Sequence, residues 1–153
     1  MKTLRILFSL LIVVAFALTS CDKEEEQEAV PMPKAKLTGF VWADLDLNEA
    51  GLEYAPSGTK ILVWVDTEDL FIDPNAVITY PRKYYEATVG ADGKYSIDIE
   101  VGNNPVTAVI APGDFWYDQL INPTDTETKR YSMAPVTVTL LQKQTKIQDL
   151  VFL

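Results

Sequence analysis

Residues 94–101 read Lys-Tyr-Ser-Ile-Asp-Ile-Glu-Val, and no other stretch of the chain constrains the fold as tightly. Tyr95, Ile97, Ile99 and Val101 alternate with Ser96, Asp98 and Glu100, the period of two that a half-buried strand requires. Residues 37–42 alternate in the same way and predict a first strand. Residues 61–65, Ile-Leu-Val-Trp-Val, form a continuous apolar run, as expected of a strand buried on both faces. Residues 84–89 and 94–101 flank Gly90-Ala91-Asp92-Gly93 and predict a hairpin. A turn cluster, Gly102-Asn103-Asn104-Pro105, precedes a strand over 106–111 that Pro112-Gly113 ends. Residues 136–140 alternate again, and 147–153 supply a closing strand. No window of helical length holds a 3.6-residue apolar period. The expectation is an all-β chain, folded as a single antiparallel β-sandwich of about seven strands.

Length and composition narrow the function. At 153 residues, 48% of them apolar, the chain has room for one well-packed domain, two at most. It has no histidine and a single cysteine, Cys21. That excludes an internal disulfide, multi-cysteine zinc or iron–sulfur sites, and triads that depend on histidine. The 13 basic and 22 acidic residues give a net charge of -9. Such a balance argues against nucleic acid as a partner, because phosphate binding needs a basic face.

The N-terminus reads as an address. Lys2 and Arg5 precede a run over 6–18 that is apolar except for Ser9. The run is too short for a bilayer span, which takes about 20 residues, and it has the plan of a secretory signal peptide. Leu18-Thr19-Ser20-Cys21 resembles the lipobox of bacterial lipoproteins. The resemblance implies cleavage before Cys21 and a covalent lipid, diacylglycerol on its sulfur, usually with a further acyl chain on the new amino group. Two chains anchor stably where one is marginal. Residues 22–33 are charged, poor in apolar residues and end in Pro31-Met32-Pro33, the composition of a disordered tether. Lys23, Glu24 and Glu25 resemble the surface-export signal of Bacteroidetes lipoproteins, which implies an outward-facing outer-membrane protein. Asp22 fits the competing enterobacterial retention rule, so a periplasm-facing placement is the alternative. The expected organisation is a signal peptide over 1–20, a lipidated acidic tether over 21–33 and one domain over 34–153.

Within that domain an ordered set of segments resembles the transthyretin-like, or carboxypeptidase-regulatory-like, domain. The set comprises Leu37-Thr38-Gly39-Phe40-Val41, the turn Pro56-Ser57-Gly58 leading into Ile61-Leu62-Val63, Asp92-Gly93-Lys94-Tyr95, and residues 106–110. It spans about half of the chain. The resemblance implies a prealbumin-like sandwich with a binding or structural role, not a reaction.

Candidate sites are few. Asp44, Asp46 and Asn48 have the one-three-five oxygen spacing that begins a calcium loop. Glu49 stands where an EF-hand has glycine and Ala55 where it has glutamate. A looser calcium site adding Glu53 is the remaining metal candidate, and no cofactor is expected. Asp66, Glu68, Asp69 and Asp73 crowd one loop, whereas paired catalytic carboxylates face each other across a cleft. No nucleophile motif or phosphate loop is present, so no catalytic residue is assigned. The ligand candidates are aromatic. Phe40 and Trp42 fall on the face of their strand opposite Leu37, Gly39 and Val41, while Phe115, Trp116 and Tyr117 follow Pro112-Gly113 at an expected loop edge. Aromatic faces bind sugar rings and protein partners.

These readings converge on a non-catalytic, lipid-anchored envelope protein that binds a glycan or a protein partner. Two alternatives stay open: an assembly subunit of a fimbria-like structure built by strand addition, and a carboxylate-dependent hydrolase.

Overall fold

The computed structural model describes residues 32–70 and 81–153. Cys21, Lys23, Glu24 and Glu25, with the signal peptide, and Asp73 lie outside the described residues. Among the described residues the chain forms β1 (Lys34–Ala43), β2 (Glu53–Tyr54), β3 (Lys60–Asp66), β4 (Arg82–Thr88), β5 (Lys94–Glu100), β6 (Val106–Pro112), β7 (Phe115–Asn122), β8 (Asp125–Tyr131), β9 (Val136–Leu140), β10 (Thr145–Ile147) and β11 (Leu150–Phe152). A single 3-10 turn, Thr67–Asp69, follows β3. The fold is an all-β sandwich.

One sheet is organised around β1. It pairs with β5 and then β2 on one side, and with β10 and β11 on the other. The second sheet has the order β4-β3-β6-β9, and β7-β8 form a separate two-stranded ribbon. The inward residues of both sheets make one core: Leu37 and Val41 from β1, Ile97 and Ile99 from β5, Ile61, Val63 and Val65 from β3, Ile110 from β6, Leu140 from β9, and Phe152 from β11. The alternation read in 94–101 is the burial pattern of β5, with Tyr95, Ile97, Ile99 and Val101 buried.

Three sequence expectations need correction. First, 84–89 and 94–101 are consecutive strands but not a hairpin, since β4 pairs with β3 and β5 with β1. A flat hairpin would hold both strands in one sheet. Crossing between sheets lets β4 and β5 each complete a seven-residue ladder, and both contribute to the core. The tight turn survives, because Gly90 N donates to Lys94 O at 2.8 Å. Second, β3 is fully buried on one face only, with Leu62 and Trp64 half-buried on the other. Third, the sandwich is not wholly antiparallel, for β10 and β11 run parallel to β1. The closing segment returns alongside the opening strand by a long connection, the arrangement that parallel neighbours require. Met32 packs against the core, and Val101 N donates to Pro33 O at 2.8 Å.

Between β10 and β11 the backbone steps over β1. A Cβ on Gly39 would overlap the carbonyl of Gln148, so only glycine admits this close approach. Tyr95 Oη donates to the same carbonyl at 2.7 Å, and Asp149 Oδ1 accepts from Phe40 N at 2.8 Å.

Candidate functional site

The ribbon carries the most exposed aromatic surface. Its register places Trp116 opposite Arg130, Tyr117 opposite Lys129 and Asp118 opposite Thr128. Directly opposed residues share a face, so Trp116, Asp118, Thr128 and Arg130 lie together, while Phe115, Tyr117, Gln119, Lys129 and Tyr131 alternate onto the reverse, Tyr117 at its exposed margin. That reverse face docks on the domain. Gln119 Nε2 donates to Asp44 O at 2.7 Å, and the Tyr131 hydroxyl donates to the same carbonyl. Phe115 stacks on Tyr131 with ring centroids 5.0 Å apart, and meets Phe152 edge-on at 4.9 Å. Leu47 N and Leu120 O, joined at 2.8 Å, tie the ribbon to the segment after β1.

With one face held this way, the other faces solvent. Trp116 is 67% exposed. Thr128 Oγ1 donates to Asp118 Oδ1 at 2.6 Å, and Arg130 Nε donates to Asp114 Oδ2 at 3.1 Å. Trp116, Tyr117, Asp118 and Thr128 line an open groove of about 380 Å³. It combines the Trp116 and Tyr117 rings with a carboxylate and a hydroxyl already linked to each other. Burial, with the charges of Asp44 and Glu53 adding to it, pushes the Tyr131 phenol above its ordinary value.

The ribbon separates the five aromatics named from sequence. Phe115 is packing. Trp116 and Tyr117 are surface, on a strand rather than at a loop edge, because the ladder with β8 begins at Phe115. Phe40 and Trp42 stand on the outer face of β1, as expected, but their third partner was missed. Tyr54 on β2 stacks on Phe40 at 5.6 Å and an 11° interplanar angle, and lies 4.6 Å from Trp42. Gly93, at a φ of 73°, leaves room for the Tyr54 ring, which any Cβ there would strike. Lys94 Nζ sits 5.1 Å from the Phe40 ring centroid. The triad shields itself by stacking, and beside it Thr38, Phe40, Lys94 and Ile147 line a smaller groove of about 250 Å³.

The acidic candidates do not converge. Asp46 Oδ1 accepts from Asn48 N at 2.8 Å and from Asn48 Nδ2 at 2.9 Å, which is a local turn. Glu53 Oε2 accepts from Leu45 N at 2.7 Å, and Asp44 serves the ribbon through its backbone carbonyl. Among the described residues no three acidic, cysteine or histidine side chains gather as metal ligands. Asp66 pairs with Arg82 at 3.2 Å and Asp69 Oδ2 accepts from Thr107 N at 3.0 Å, so these two carboxylates hold strands rather than face a cleft.

Asp118 and Thr128 are the groove-lining residues that sequence reasoning missed. Asn122-Pro123-Thr124-Asp125 marked their hairpin, since Asn122 Oδ1 accepts from Thr124 N and Asp125 N at 3.0 Å each, a turn signal readable in the residues themselves.

No protein-family model and no curated protein matches the chain. Solved structures similar to it include a proposed carbohydrate-binding protein of Pseudomonas aeruginosa, at 13% identity and a TM-score of 0.48, matched over 81% of this chain and 92% of that one. A minor pilin of Streptococcus agalactiae aligns at 8% identity and a TM-score of 0.43, over 80% of this chain and 45% of the pilin. The dioxygenase domain of a dioxygenase–carbohydrate-binding fusion from a cellulolytic Streptomyces aligns at 12% identity and a TM-score of 0.33, over 81% and 82%. None of these places the chain in a family.

Proposed function

We propose that this protein is a non-catalytic, lipid-anchored envelope module that captures a glycan on the solvent face of the β7–β8 ribbon. The observation that carries the reading is Trp116, two-thirds exposed beside the Asp118–Thr128 pair. A stable domain gains nothing from leaving so large an apolar ring in water, and a sugar ring supplies the matching apolar face with hydroxyls for the carboxylate. The acyl chains on Cys21 hold the protein to the outer membrane, and the acidic tether spaces the domain from it. The run 6–18, the lipobox and Lys23-Glu24-Glu25 support that placement.

A glycan array probed with the detergent-solubilised full chain tests the ligand. Trp116→Ala removes the signal while the melting temperature holds. A pull-down that returns a protein through Trp116 would replace the ligand class and keep the site. Metabolic labelling with palmitate, lost in Cys21→Ser, tests the anchor, and protease shaving of intact cells tests the outward orientation.

One observation favours the assembly reading as a second possibility. The sheet ends on β9, whose sequence Val-Thr-Val-Thr-Leu holds no charge, whereas the edge strand β4 carries Arg82, Lys83 and Glu86. Charges on an edge oppose strand addition, and β9 has none. A monomer at every concentration in analytical ultracentrifugation removes this reading.

A further inference from the structure

The outer face of the four-stranded sheet bears an aromatic surface that the ribbon does not use. Trp64 and Tyr84 stand directly opposite each other in the β3–β4 ladder. Their ring centroids are 6.4 Å apart at a 47° tilt, and Tyr84 is 57% exposed. The same cross-strand row continues through Val109 on β6 to Thr137 on β9. To one side, the Arg82 guanidinium carbon lies 5.6 Å from the centroid of the Trp64 ring, and its Nε donates to Asp66 Oδ1 at 3.2 Å. To the other, Lys60 and Glu86 pair at 3.0 Å.

Charge selects the class of ligand. Among the described residues the outward cations of these four strands, Lys60 and Arg82, are each paired with an outward acid, and the strands leave no outward charge over. Neither a polyanion nor a polycation gains from docking there. The rings offer apolar planes, the two ion pairs offer donors and acceptors, and Thr137 offers a hydroxyl that is both. Strands lie about 4.8 Å apart, so the row spans about 14 Å as a flat strip rather than a pocket. A strip suits an extended chain that repeats its contacts.

We propose that this face binds an uncharged polysaccharide, with a pyranose ring stacked on the exposed Tyr84 beside Trp64 and hydroxyls shared with the Asp66–Arg82 pair and Thr137. The site is separate from the ribbon and does not rest on Trp116.

The test is native affinity electrophoresis and calorimetry of the full chain in detergent against soluble neutral polysaccharides, a β-glucan and a mannan, with polygalacturonate as the charged comparison. Binding to a neutral polymer is expected, unchanged between low and high salt. Tyr84→Ala should weaken it by about tenfold or more, equivalent to loss of a stacking contact. Tyr84 is exposed, so an unchanged melting temperature will confirm that this variant folds. Tyr84→Phe should retain binding. The proposal is overturned if Tyr84→Ala binds like the wild type, if only polygalacturonate binds and salt abolishes it, or if no neutral polymer binds. Loss in Trp116→Ala alone overturns this site and leaves the ribbon reading standing. Loss in Tyr84→Ala alone supports this site and counts against the ribbon.

Discussion

Tyr95 and Gln148, 53 residues apart in sequence, are joined by a 2.7 Å hydrogen bond from the phenol to the backbone carbonyl. The bond reaches across Gly39 of β1 and ties the crossing between β10 and β11 to β5. Gln148 N completes the clasp by donating to Thr38 O at 2.8 Å. The phenol is buried, which raises its pKa, and Asp149 raises it further.

That burial predicts alkaline sensitivity. An unfolded tyrosine ionises near pH 10, whereas Tyr95, Tyr131 and Tyr85 ionise higher in the folded protein, chiefly through burial. Their folded values are raised, so the stabilisation is complete below about pH 10 and is lost as pH climbs through those values. Lys83, raised by its hydrogen bond to Glu100, acts in the same direction. Thermal melts should fall steeply above pH 10, and Tyr95→Phe should flatten the fall. At neutral pH that variant should lose about 1 kcal/mol with its hydrogen bond.

Gly39→Ala should cost about 3 kcal/mol or more in urea unfolding, because the added methyl meets backbone that cannot rotate away. Gly58→Ala is the comparison. Its φ of 91° strains any side chain, but nothing lies within 4 Å, so about 1 kcal/mol is expected.

Phe115 and Trp116 are neighbours with opposite consequences. Phe115→Ala opens the contact with Tyr131 and Phe152 and should destabilise by about 3 kcal/mol. Trp116→Ala should change stability by no more than about 0.5 kcal/mol, while removing glycan binding. Paired denaturation and array measurements separate the two.

Asp118→Asn keeps the shape of the groove and removes its charge. Glycan affinity should drop by about tenfold, since hydrogen bonds to a charged acceptor are roughly twice as strong as neutral ones. Thr128→Val should cost less, and calorimetry of both variants checks the order.

Much of the sandwich was legible because its strands carry their burial in their own residues. The alternation of 94–101 and of 37–42 survives as the two faces of β5 and β1. The arch between β4 and β5 was not legible, since Gly90-Ala91-Asp92-Gly93 makes the same tight turn whether its strands pair or part. The ribbon was hidden for a different reason. The burial of β8 is almost entirely exposed until Tyr131, so Asp-Thr-Glu-Thr-Lys-Arg-Tyr shows no apolar alternation. Trp116 was found in the sequence by its chemistry alone. Asp118 and Thr128 became partners only through the register of a hairpin, and Tyr54 entered the Phe40–Trp42 cluster through a strand of two residues.

The most direct test of the ribbon as the glycan site uses Trp116 as its own reporter. The chain has three tryptophans, so Trp42→Phe and Trp64→Phe together leave Trp116 as the sole indole. Titration with a glycan that the array identifies should shift its emission to the blue and saturate at the calorimetric affinity. Calorimetric binding with an unmoved Trp116 emission would contradict the assignment.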